Sequence, residues 1–89
     1  MSPDAPVIGI GVRLFAAARE AAGSPTIAVH VPAATNAGRV WDHLPAAVRA
    51  TINPGATRIA VNGEWAGDAM LLADGDEVAL ITPVSGGCA

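Results

Sequence analysis

Large apolar residues occupy every second position from Ile8 through Ile10 and Val12 to Leu14, with glycine or arginine between them. This period of two predicts a strand over residues 7–14 with one face inward, leaving Gly9 and Gly11 on the other face, open to close approach. They do not continue into a phosphate loop, since neither a third glycine nor a Lys-Ser/Thr pair follows. Residues 15–22, Phe-Ala-Ala-Ala-Arg-Glu-Ala-Ala, are helix formers stopped by Gly23, and Phe15, Ala18 and Ala22 fall on one side of the predicted helix. Alternation returns over residues 26–31, with Ile27, Val29 and Val31 set against Ala28 and His30, and Pro32 ends it. Thr35 is placed to cap a helix running to Leu44 with Val40, Trp41 and Leu44 buried; Pro45 interrupts it, and residues 46–52 form a second short helical piece.

Residues 57–61 predict a third strand, Asn62-Gly63 a tight turn, and residues 64–66 a short return. Met70, Leu71 and Leu72 are expected in the core, and Asp74-Gly75-Asp76 turns the chain into a last strand over residues 77–82. Val78, Leu80 and Ile81 lie on both faces of that strand, which predicts a central place in the sheet. Pro83 cannot donate to a ladder, so pairing stops there. Helices interspersed among five strands imply an α+β fold of two layers, with helices on one face of a mixed five-stranded sheet over residues 7–82. Residues 1–6, with two prolines, read as a flexible lead-in.

After the last strand come Pro83, Val84, Ser85, Gly86 and Gly87, followed by Cys88 and Ala89. Two consecutive glycines have nothing to pack and the most conformational freedom to lose, so this stretch predicts an extended tail. Val84 to Gly87 would span up to about 13 Å, and a run without bulky side chains fits a channel too narrow for other sequences. It presents a carbonyl carbon with almost no steric cover.

The composition narrows what such a tail can do. A hydrophobic content of 52% with 15% charged residues argues for a folded globule. Neither a signal-peptide pattern nor an apolar run of membrane-spanning length is seen, which leads to the expectation of a cytoplasmic protein with no membrane partner. The single cysteine excludes an internal disulfide and a cysteine-built zinc site. All five basic residues are arginines, so no lysine amine is available for a Schiff base or as an acyl acceptor. Residues 51–89 carry five acids against the single base Arg58, a balance that disfavours nucleic acid and suits a basic docking surface on a partner. His30 faces outward alone, and Asp42 and His43, adjacent in sequence, do not face each other on a helix. No constellation of acid, base and nucleophile emerges.

The run 12–23 (Val-Arg-Leu-Phe-Ala-Ala-Ala-Arg-Glu-Ala-Ala-Gly), with Val61-Asn62-Gly63, residues 72–78 and Pro83-Val84-Ser85-Gly86-Gly87, resembles in register the small subunit of molybdopterin synthase. The resemblance, which extends to the wider group of ThiS-type sulfur carriers, covers roughly residues 7–87. It implies a ubiquitin-like β-grasp fold and a sulfur carrier. An E1-like adenylating enzyme, using ATP and Mg²⁺ of its own, would activate the carboxylate of Gly87, and a sulfur donor would convert it to a thiocarboxylate. The chain itself would bind no cofactor and no metal. The sulfur would then pass to the molybdopterin synthase large subunit or another acceptor enzyme. In this picture Gly87 is the acyl site, Pro83 to Gly86 form the arm inside a partner's channel, and Phe15 with the strand face from Arg58 to Ala60 is candidate docking surface.

One departure from that family has a chemical consequence. Gly87 is joined to Cys88 here, whereas family members usually end at the second glycine, and an amide-bonded Gly87 has no carboxylate to adenylate. The resemblance to related carriers with a short extension implies removal of residues 88–89 by a zinc-dependent JAMM-type metallopeptidase. The alternatives are delivery of sulfur to another pathway (cysteine, thiazole or a secondary metabolite), attachment of the chain as a protein tag, or a β-grasp binding module without acyl chemistry.

Overall fold

The computed structural model, which describes residues 6–81, converts the two-residue periods into five strands and the helix-forming runs into short helical segments. In order these are β1 (Val7–Arg13), α1 (Ala16–Ala22), β2 (Thr26–Pro32), a 3₁₀ helix (Ala37–His43), α2 (Ala46–Arg49), a 3₁₀ turn (Pro54–Ala56), β3 (Arg58–Val61), β4 (Glu64–Trp65) and β5 (Glu77–Ile81). The sheet order is β2-β1-β5-β3-β4. β1 runs antiparallel to β2 and parallel to β5, while β3 is antiparallel to both β5 and β4. The last strand is thus central, as its two-faced apolar content predicts, and the architecture is the ubiquitin-like β-grasp.

Alternation decides which face is covered. Ile10 and Val12 of β1, Val29 and Val31 of β2, Ile59 and Val61 of β3, and Val78 and Leu80 of β5 all point to one side. There they form one cluster with Ala18 of α1, Val40 and Trp41 of the 3₁₀ helix, and Leu44 and Val48 at α2. The helical layer therefore lies on a single face, and among the described residues no helix covers the opposite face of the sheet.

Two turns hold β5 between its neighbours. On the β1 side, the Gly9 N–H donates to the Asp74 carboxylate at 2.8 Å and the Gly75 N–H to the Gly9 carbonyl at 2.8 Å. On the β3 side, Asn62 donates through Nδ2 to Asp76 Oδ1 at 2.9 Å and accepts through Oδ1 from the Glu77 N–H at 2.9 Å. Asn62 and Gly63 have φ of 52° and 85°, the left-handed pair that a two-residue hairpin turn requires.

Several expectations are corrected. Phe15 does not belong to the buried stripe of α1: it is still extended (φ −134°, ψ 157°), so alternation after the buried Leu14 turns it outward, and it is 44% exposed. Thr35 does not cap a helix; its hydroxyl donates back to the Pro32 carbonyl, and the helical segment begins after Asn36 and is 3₁₀. Its first N–H groups, Ala37 and Gly38, donate instead to the carbonyls of Met70 and Asp68 at 2.7 and 3.0 Å. A second backbone segment thus does what a capping side chain would do. That pairing also explains why Met70 and Leu71 are exposed rather than core: the 68–72 segment docks through its backbone, and Leu72 is the residue whose side chain enters the core.

Close backbone approach makes Gly38 specific. A Cβ built there would lie 2.7 Å from Asp68 Cβ and 3.1 Å from Asp68 Cα, and the crowding includes main chain that cannot rotate away. Gly38→Ala is expected to lower stability by about 1–3 kcal/mol, the usual cost of overpacking. Urea denaturation of the two proteins measures it, and an unchanged midpoint would contradict the tight packing described.

Candidate functional site

Gly87, the arm Pro83, Val84, Ser85 and Gly86, and the processing position Gly87-Cys88 lie outside the described residues. The ground from which that arm continues is described. β5 ends at Ile81, whose cross-strand partner on β3 is Arg58. On its other side β5 runs parallel to β1, with Ala79 opposite Arg13. Phe15, two residues beyond Arg13, is therefore at the same end of the sheet. Phe15 and Arg58, singled out from the sequence as candidate docking residues, flank the end of the strand that leads to Gly87.

The face opposite the helices carries Arg13, Ala79, Arg58, Ala60 and Trp65, as the registers require. The Arg58 guanidinium carbon lies 4.2 Å from the centre of the Trp65 ring, a cation–π stack on an exposed surface. Arg13 and Glu77 approach to 3.8 Å with both side chains about half exposed, a contact worth little in water. Ala60 is corrected: it shares this face but is only 7% exposed, because Trp65 lies directly across from it on β4 and its own methyl is too short to project past the indole. Trp65, 59% exposed, takes the place expected of Ala60.

Trp65 was missed by sequence reasoning, although a signal existed. A two-residue Asn62-Gly63 turn sets Val61 opposite Glu64 and Ala60 opposite Trp65, so Trp65 must share the face of Arg58. A groove of about 530 Å³ opens beside the stack, with Trp41, Thr57, Arg58, Trp65 and Asp68 among its walls.

Asp42 accepts Arg39 and Arg49 at 3.5 and 3.6 Å and makes no pair with His43. Among the described residues, no group of three or more His, Cys, Asp or Glu side chains is placed to hold a metal ion. No helix there is long and apolar enough to cross a membrane. What the described site offers is a presenting platform: an exposed aromatic ring and a stacked guanidinium on either side of a central strand.

Known proteins resemble the chain at both levels. The molybdopterin synthase sulfur carrier subunit of Drosophila melanogaster is 36% identical over 90 residues, covering 98% of this chain and all of that one. The crystal structure of SAMP1, a small archaeal modifier protein from Haloferax volcanii, superposes with a TM-score of 0.72 at 35% identity, covering 89% of this chain and 99% of that one. A ubiquitin from Caldiarchaeum subterraneum, at 20% identity and TM-score 0.63, covers 92% of this chain and all of its own, and shares the fold. The ThiS family model matches residues 12–87, from the last but one residue of β1 to the second of the two consecutive glycines, and the chain belongs to the ThiS family.

Proposed function

We propose that this chain is a sulfur carrier, activated at Gly87 and serving molybdopterin synthesis. The family match that runs to Gly87 and stops before Cys88 is the observation that carries this reading. The full-length likeness to molybdopterin synthase sulfur carrier subunits supports the destination of the sulfur. Hydrolysis of the Gly87–Cys88 peptide bond comes first, by a JAMM-type metallopeptidase, and leaves a glycine carboxylate. A carboxylate is a poor electrophile, so an E1-like partner joins its oxygen to the α-phosphorus of ATP with loss of pyrophosphate. Hydrosulfide from a sulfur donor then displaces AMP from the acyl carbon and loses its proton to solvent, and the thiocarboxylate formed carries nucleophilic sulfur to the large subunit of molybdopterin synthase. Phe15 and the Arg58–Trp65 stack contact the partners on either side of the arm, while acids, bases and Mg²⁺ reside on those partners.

The test is the mass of the protein purified from its own cells, followed by reaction of a Gly87-terminated chain with ATP, its adenylating enzyme and a sulfur donor. A mass ending at Gly87, or that mass with one oxygen exchanged for sulfur, is expected. A full-length chain in cells, together with a Gly87-terminated chain that forms no adenylate, would end the proposal.

The likeness to SAMP1 favours a second reading, in which the activated Gly87 is transferred to amines of other proteins. With no lysine in its own sequence, such a tag would not extend into chains through its side chains. Isopeptide-linked Gly87 remnants on lysines of cellular proteins would separate this reading from sulfur transfer alone.

A further inference from the structure

Asn62-Gly63 is more than a turn signal, because an asparagine followed by glycine is the dipeptide most open to attack by its own backbone. Glycine adds no Cβ to shield its nitrogen, so in a flexible chain the Gly63 nitrogen reaches the Asn62 side-chain carbonyl carbon. That nitrogen gives up its proton to solvent base as its bond to Cγ forms. The Cγ–Nδ2 bond breaks and ammonia leaves, giving a five-membered succinimide. Water opens the ring at either carbonyl, to aspartate or to isoaspartate, with no change of oxidation state.

The folded protein holds the reacting carbon by both of its substituents. Nδ2 is bound to Asp76 Oδ1 and Oδ1 to the Glu77 N–H, each at 2.9 Å, and the Asn62 backbone N–H donates to the Glu77 carbonyl at 2.8 Å. Cγ cannot swing onto the Gly63 nitrogen without losing both side-chain bonds. Asp76 is itself fixed, since its other oxygen accepts the Ala73 N–H at 2.8 Å. Neither of the other asparagines offers the same chemistry: Asn36 precedes Ala37, whose methyl hinders the nitrogen, and Asn53 precedes Pro54, which has no N–H to lose.

We infer that Asn62-Gly63 is a latent deamidation site, closed while β5 is clamped to the β3–β4 turn and exposed when that clamp opens. The modification is also self-sealing. An aspartate at position 62 would set a carboxylate against Asp76 Oδ1, where the amide now donates, and like charges at that distance repel. An isoaspartate would add a backbone methylene to a two-residue turn and misset the register of β4. Either product weakens the hold on β5, the strand that leads to the proposed acyl site, so a chain that reacts while open is marked irreversibly as loosened. This inference rests on the turn alone and stands whether or not Gly87 carries sulfur.

The test compares the full chain aged in mildly alkaline buffer when folded and when unfolded in urea, with peptide mapping of Asn62 by mass and by isoaspartate content. Deamidation is expected to be at least about 10-fold slower in the folded protein, which corresponds to an opening free energy of about 1.4 kcal/mol or more. Asp76→Ala, checked for retained fold by circular dichroism, is expected to speed the folded-state reaction. Should Asp76→Ala fail to fold, exchange protection of the Glu77 amide in the unaltered chain supplies the second readout, and its protection factor should be at least as large as the factor by which folding slows the loss of Asn62. Equal rates in the folded and unfolded chains, or loss of Asn36 ahead of Asn62 in urea, would overturn the inference.

Discussion

A chain ending at Gly87 and carrying Gly87→Val is expected to lose thiocarboxylate formation by at least about 100-fold, the penalty that a misplacement of about 1 Å at a reacting centre imposes. The reason is steric. Under the proposed function the acyl carbon must reach a nucleotide phosphate through a narrow channel, and a β-branched side chain covers that carbon and stiffens the residue. Folding is expected to be unchanged, because among the described residues the buried core cluster runs from Ile10 to Leu80. Thermal melting thus serves as the control, and intact-protein mass after reaction with ATP, the adenylating enzyme and a sulfur donor is the readout. Unimpaired sulfur loading by the valine variant would show that access to residue 87 is not what limits the reaction.

The two tryptophans should respond to truncation in opposite ways. Trp41, 9% exposed, sits in the core cluster with Val40, Leu44 and Val48, and Trp41→Ala is expected to cost about 3–5 kcal/mol. A domain of this length has a total stability of about 4–13 kcal/mol, so that one change takes a large share of it. Trp65, 59% exposed, contributes mainly its contact with Arg58, and Trp65→Ala should change stability by less than about 1 kcal/mol. Under the proposed function its effect belongs to binding: the same substitution is expected to weaken capture by the proposed adenylating partner while leaving the urea midpoint nearly unchanged. Equal destabilisation by both substitutions would refute the division of the sheet into a packed face and a presenting face.

That division came only partly from the sequence, and the pattern of successes has a physical basis. Ile10, Val12, Val29 and Val31 entered the core as their spacing required, since a strand's pleat sends alternate residues to opposite faces. Gly23 and Pro45 ended helical segments for reasons internal to their own backbones. The failures share a different cause. Met70 and Leu71 were assigned to the core for being apolar, yet their segment is held by main-chain bonds to residues 35–38, a long-range pairing that hydrophobicity does not encode. Ala60 was placed on a docking surface through the family resemblance, and the bulk of a neighbour on another strand decided otherwise. Phe15 was placed one residue too far into a helix, and the boundary between extended and helical backbone turned it from core to surface.

The amino-acid order determined the elements themselves, the Asn62-Gly63 turn with its side-chain chemistry, and the uncluttered glycine pair that gives the chain its proposed reactive end. These depend on backbone freedom, side-chain volume and short-range periodicity, which each residue carries wherever it stands. Tertiary structure alone decided that the neighbours of β5 are β1 and β3, that Phe15 and Arg58 therefore flank its end, and that Trp65 stacks on Arg58. Strand order depends on which distant segments bury the most apolar surface together, and that is a property of the closed chain rather than of any stretch within it.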